Sequence, residues 1–215
     1  MADINGALRP TRIIDSDSEL VAGIAGALTQ GCESDVEKAE RLFYYARDAV
    51  AYNVDLAASP LEEYRASRTI ERREGYCTQK AVVLAALARA AGVPALLAFA
   101  DVENHLISER LQEMMKTNLF VYHGYTKLWL NGRWVKATPA FDLEMCVQRG
   151  FVPVEFDGVH HAVFHPCNKE GTPHIKYLKQ RGDFEELPFD EIMAAFRETY
   201  VSPGSEERIL RVHTE

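Results

Sequence analysis

Residues 75–95 read Gly75-Tyr76-Cys77-Thr78-Gln79-Lys80-Ala81-Val82-Val83-Leu84-Ala85-Ala86-Leu87-Ala88-Arg89-Ala90-Ala91-Gly92-Val93-Pro94-Ala95. Alanine and leucine dominate the run from Cys77 to Ala91, which predicts a helix, and Gly92 followed by Pro94 ends it. From Ala81 to Leu87 the segment is apolar on every side. A helix with no polar face belongs in the middle of a domain, with other elements packed around it. Cys77 falls in its first turn, just after a glycine that lets the chain turn sharply.

On the N-terminal side the periodicity stays helical. Leu20, Val21, Ile24 and Leu28 recur at helical spacing between Ser16–Ser18 and Gly31. A second helix starts at the capping box Ser34-x-x-Glu37, with Val36, Ala39, Phe43, Ala46 and Val50 as its apolar stripe. Ser59-Pro60, with Glu62 in the first turn, predicts a third, shorter helix. On the C-terminal side the period changes. Ala95–Phe99 has strand length, and Leu119–Leu130 and Arg133–Thr138 flank Asn131-Gly132, a strong hairpin signal because both residues tolerate positive φ. A short helix on Leu106, Leu111 and Met114 fits between, and Pro188–Tyr200 carries Phe189, Ile192, Met193, Phe196 and Tyr200 on one face. Helices followed by antiparallel strands predict an α+β fold. No repeat or linker interrupts the chain, so residues 12–200 read as one domain, with 201–215 a loosely packed tail after Ser202-Pro203-Gly204.

The 215 residues carry 24 Lys and Arg against 32 Asp and Glu, a net charge of −8. That balance argues against a nucleic-acid surface and against a polybasic membrane anchor. No long apolar run predicts a membrane span, and Met1–Arg12 lacks the plan of a signal peptide. Cys32, Cys77, Cys146 and Cys167 are widely spaced, which predicts reduced thiols in a cytoplasmic setting.

Two residues stand out chemically. Unpaired amides and the helix dipole at Cys77 favour thiolate over thiol and can stabilise an oxyanion; otherwise Cys77 is an inert buried cysteine. His123 lies eight residues before the Asn131-Gly132 turn. A two-residue loop pairs positions whose numbers sum to 263, so Thr138 and Asp142 are the diagonal same-face neighbours of His123. A residue that orients the imidazole is expected from these two.

The run Arg73-Glu74-Gly75-Tyr76-Cys77-Thr78-Gln79-Lys80-Ala81, with Leu87 through Ala95, resembles the core of the transglutaminase-like superfamily. Leu42–Tyr52 is similar to that family's upstream helix, and His123–Trp134 to its histidine strand and hairpin. Phe156-Asp157-Gly158 and Pro188–Tyr200 are similar to the tail of bacterial stand-alone members. The resemblance implies a papain-like cysteine enzyme in which Cys77 attacks an amide, His123 protonates the leaving amine, and a thioester is resolved by water or an amine. The family's aspartate usually stands before a proline, where this chain has Thr138-Pro139. Either Asp142 supplies the carboxylate or Thr138 orients His123 through its hydroxyl; Asp142 is the expected third member. Thr78 stands where the family commonly has an aromatic residue.

Other features have plainer readings. His160, His161, His165, Cys167 and His174 cluster in sequence, but on a strand His161 and His165 would stand about 13 Å apart, too far to share a metal. Trp129, Trp134, Tyr122 and Tyr125 read as strand packing. Glu103–Thr117 is a connection or a lid, and Glu71–Glu74 a solvated helix end whose Arg73 could support a thiolate. The expectation is a cofactor-free, metal-free cysteine hydrolase or acyltransferase with Cys77, His123 and Asp142 at its site. Its substrate would be a peptide, a protein or a small amide, with no nucleic-acid or membrane partner. The alternative is a module that kept the fold, lost its triad and binds peptide or protein.

Overall fold

The computed structural model describes residues 4–200; the tail expected at 201–215 lies outside them. Seven helices and six strands follow in the order α1 (Glu19–Thr29), α2 (Asp35–Asp48), β1 (Ala51–Tyr52), α3 (Ala66–Arg72), β2 (Glu74–Gly75), α4 (Cys77–Ala90), β3 (Ala95–Asn104), α5 (Glu109–Met115), β4 (Leu119–Leu130), β5 (Arg133–Ala137), α6 (Leu143–Arg149), β6 (Ile175–Phe184) and α7 (Phe189–Tyr200). The fold is α+β with a papain-like, transglutaminase-like core: an antiparallel sheet of order β5-β4-β3-β6 with α4 packed on it. None of the described helices is long and apolar enough to cross a membrane.

The central helix forms as its composition dictates. Every residue of α4 from Cys77 to Arg89 is buried, between α1, α2 and α3 on one side and β3 and β4 on the other. Its polar side chains are spent on backbone. Lys80 Nζ donates to the carbonyls of Arg47, at 2.8 Å, and Val50, closing the end of α2. Arg89 binds the carbonyls of Ala95, Arg9 and Glu185, tying the end of α4 to β3 and both flanking segments. Thr126 Oγ1 donates to Ala81 O at 2.9 Å and fixes α4 against β4.

The hairpin has the expected register: Asn131 (φ 50°) and Gly132 (φ 79°) turn the chain, and Thr126 pairs with Ala137. β5 stops there, because Pro139 cannot extend the ladder. The Ser34 cap also forms, its hydroxyl accepting from the Glu37 amide at 3.2 Å, while the Glu37 carboxylate accepts from Glu33 rather than from Ser34. Three features differ from expectation. The segment after Ser59-Pro60 is a 3-10 turn, Leu61–Tyr64, before α3 begins. β3 extends to Asn104, and β6, not anticipated from sequence, pairs along its outer edge. Residues after Pro139 turn into α6 instead of continuing a strand.

Candidate active site

Cys77 is the first residue of α4, and Tyr76 before it caps the helix: its amide donates to Gln79 Oε1 at 3.1 Å. The amides of Gly124 and Thr78 pull the pKa of the thiol down, and the Thr78 hydroxyl stands 4.0 Å from the sulfur. Pairing of β4 with β5 ends at Thr126, so Gly124 lies beyond the last rung of that ladder. Only glycine permits so close a seat: a Cβ at 124 would stand 2.8 Å from Thr78 Cα. The structure therefore brings the start of α4 to the residue next to His123.

His123 pairs with Ala100 and shares a sheet face with Ala98, Ala100 and Tyr125, whereas Gly124 faces α4. Phe164 stacks on the imidazole at 4.8 Å, Tyr125 lies at 6.4 Å and Tyr177 closes the side at 6.1 Å. The ring is 4% exposed, and burial alone pushes its pKa down to about 3. Its Nε2 has no hydrogen-bond partner among the described residues. The Thr138 hydroxyl is equally buried and unpartnered; the Tyr177 hydroxyl reaches toward it at a geometry short of a hydrogen bond.

Burial also pushes the Cys77 thiol up, more than the amides of Gly124, Thr78 and Cys77 itself pull it down. The expectation of a thiolate favoured by the helix N-terminus is thus reversed. The amides are in place, but with Cys77 only 9% exposed, loss of water outweighs them. Burial raises the hydroxyls of Tyr52, Tyr177 and Tyr200 as well, and negative charge on Cys77 would raise each further. Arg73, considered as support for a thiolate, ends α3 in the left-handed conformation and acts instead on Tyr45.

Asp142 is not brought to His123. It caps α6, accepting from the Met145 amide at 2.8 Å, and its other oxygen accepts from the Tyr52 amide at 2.8 Å. Both oxygens are occupied by backbone. Of the histidines grouped by sequence, His160 and His161 are exposed on the surface, while His174 is buried against Phe151 at 4.1 Å, its pKa pushed down to about 4 by burial.

A cavity of about 480 Å³ lies between the Val54–Ala58 turn, α5 and α6, with Tyr52, Phe120, Phe141, Leu111, Met145 and Phe151 in its walls. An Arg110–Asp55 ion pair, at 3.4 Å, belongs to the same lining. The cavity connects to the site through aromatic rings. Tyr52 meets Phe141 edge-on at 5.0 Å, Phe141 packs on Phe164 at 4.5 Å, and Phe164 covers His123. α5, within Glu103–Thr117, forms one side of it. Neither Gly124 nor Phe164 was foreseen as part of the site; the small residue after His123 was the only available signal, and none pointed to Phe164.

The sequence profile of the transglutaminase-like superfamily matches residues 22–139. Among solved structures, a candidate cysteine protease from Cytophaga hutchinsonii superposes with a TM-score of 0.50 at 21% identity, covering 65% of this chain and 42% of that one. A candidate protease from Parabacteroides distasonis (TM-score 0.40, 15% identity, 59% and 26% covered) is also similar. So is the periplasmic domain of TgpA from Pseudomonas aeruginosa (0.40, 20%, 56% and 42%). This chain spans less than half the length of each of the three. No curated protein matches it. With the profile covering more than half of the sequence, and Cys77 and His123 both inside the matched span, the chain belongs to the transglutaminase-like superfamily.

Proposed function

We propose that this chain is a cysteine-dependent enzyme that acts on amide bonds through a thioester. The observation that carries the proposal is the seat of Gly124, adjacent to His123, on Thr78, the residue after Cys77 at the start of α4: a Cβ at 124 would stand 2.8 Å from Thr78 Cα. Burial raises the thiol and lowers the imidazole, so both groups start neutral, and His123, next to Gly124, is assigned the role of general base. The Cys77 sulfur bonds to the substrate's carbonyl carbon as its proton passes to His123. The C–N bond then breaks, and the proton leaves with the amine. Water or a second amine adds to the thioester and releases Cys77. The amides at the first turn of α4 are the donors available to the oxyanion. The cavity beside Tyr52 and Phe141, whose lining includes neither Cys77 nor His123, offers an aromatic wall to apolar groups of a substrate that is a peptide, a protein segment or a small amide, away from the reacting bond.

A non-catalytic module that binds peptide is the second reading. One observation favours it: no carboxylate among the described residues hydrogen-bonds His123, and Asp142 is committed to backbone. Iodoacetamide labelling located by mass spectrometry, run beside amide hydrolysis and amine incorporation on a peptide library, separates the two. The enzyme requires labelling at Cys77 and loss of turnover in Cys77→Ala. Turnover that survives in Cys77→Ala, or labelling confined to another cysteine, ends that assignment. Peptide binding without turnover supports the module.

A further inference from the structure

Asp101 is a buried carboxylate at the one place where both neighbouring strands are irregular. On β4, Ala100 pairs with His123 and Val102 with Phe120, so Val121 and Tyr122 together oppose Asp101. On β6, Phe99 pairs with Gly182 and Ala100 with Gln180, so Arg181 is an inserted residue. The Asp101 carboxylate holds both irregularities. Its Oδ1 accepts from the Tyr122 amide at 3.1 Å, and Arg181 approaches it through Nε, at 2.9 Å to Oδ1, and through a terminal nitrogen at 2.7 Å to Oδ2. The same guanidinium lies over the Tyr122 ring at 4.9 Å.

Tyr122 is left-handed, with φ 53°, a conformation unfavourable for a non-glycine residue that persists only where its surroundings impose it. The next residue is His123. Resting on the proposed Cys77–His123 chemistry, we infer that Asp101 and Arg181 are positioning residues: they impose the bulge at Tyr122 that sets the direction in which β4 enters His123. Neither touches the reacting atoms. The imidazole Nε2 has no hydrogen-bond partner among the described residues, so its placement depends on ring packing and on the backbone that delivers it.

The test is the pH profile of Cys77 alkylation by iodoacetamide, together with the His123 imidazole resonances, in the full chain. Asp101→Ala is expected to slow alkylation near neutral pH about tenfold, as one unit of thiol titration would, and to move the His123 resonances. It should add nothing in a His123→Ala background. Asp101→Asn, which still accepts from the Tyr122 amide, should restore most of the parent profile. If Asp101→Ala does not fold, Arg181→Gln, at the more exposed partner, carries the same comparison. A profile and resonances unchanged in the folded variants, or an equal loss in the His123→Ala background, would overturn the inference. Should His123→Ala itself leave Cys77 unaltered, the Cys77–His123 reading fails and the positioning role falls with it, a result distinct from the others.

Discussion

Gly124 and Thr78 meet backbone to backbone: a Cβ on Gly124 would stand 2.8 Å from the Thr78 Cα and 2.9 Å from its Oγ1. This contact seats the first turn of α4 on β4, and the Gly124 amide lowers the pKa of the Cys77 thiol. Gly124→Ala must push the helix from the strand, because the obstructing atom is backbone and cannot swing away. The expected cost is about 1–3 kcal/mol, with a further fall in Cys77 alkylation as the Gly124 amide, which lowers the thiol pKa, moves away. Urea unfolding and alkylation rates, taken on the same preparation, check both. A variant as stable and as reactive as the parent would show that the seat is not tight.

The parts of this site written in local chemistry were legible in the sequence. Asn131-Gly132 specifies a turn with positive φ at both residues, and that turn fixes the register pairing Thr126 with Ala137, which leaves Tyr125 on the His123 face. The unbroken apolar run of α4 specifies burial. β6 was not legible, because two register shifts against β3 break its alternation and most of its side chains face solvent. Asp142 misled for a related reason: the same-face rule holds only while the strand continues, and Pro139 ends it, so the aspartate becomes a helix cap. The Cys77 pKa shift was out of reach as well, since its sign depends on how deeply the thiol is covered, and Tyr52, Tyr177 and Tyr200 come from three distant segments.

Acid should destabilise the protein through His123. Its folded pKa, about 3, lies below the ordinary histidine value of 6.5, so the fold prefers the neutral ring. The contribution is fully present above pH 6.5 and is lost as pH falls toward 3, while the unfolded chain binds the proton more readily. At roughly 1.4 kcal/mol per pH unit, the loss between pH 6.5 and 4.5 is about 2–3 kcal/mol. His174, depressed to about 4, acts in the same direction. Urea unfolding across this range should show a smaller acid loss in His123→Gln than in the parent. Equal slopes would mean that His123 is not buried as a neutral ring.

Asp142→Ala should act on stability before it acts on chemistry. It removes the acceptor for the Met145 amide at the start of α6, worth about 1 kcal/mol as a cap, and strands the Tyr52 amide, at about 1–3 kcal/mol. A fall in thermal midpoint is expected, with the pH profile of Cys77 alkylation keeping its shape. A reshaped profile at unchanged stability would instead connect Asp142 to His123.

Thr138→Asp places a carboxylate one residue beyond β5, on the side of Tyr177, whose ring lies 6.1 Å from His123; the His123 Nε2 and the Thr138 hydroxyl are both buried and without a hydrogen-bond partner among the described residues. An opposite charge within about 4–6 Å raises an imidazole pKa by about 1–3 units, which would bring His123 from about 3 into the range of 4 to 6. A more basic imidazole takes the thiol proton more readily, so Cys77 alkylation near pH 7 should accelerate. Opposing this is burial of a new charge at a site with no exposure. Thr138→Asn separates the two effects: it can hydrogen-bond the neutral ring without adding charge, and should leave the titration low. His123 titration followed by NMR decides the matter. A folded Thr138→Asp whose histidine still titrates near 3 would show that Nε2 points away from residue 138. The missing aspartate would then not be what holds the ring neutral, and the aromatic cover of Phe164 and Tyr177 would carry the shift by itself.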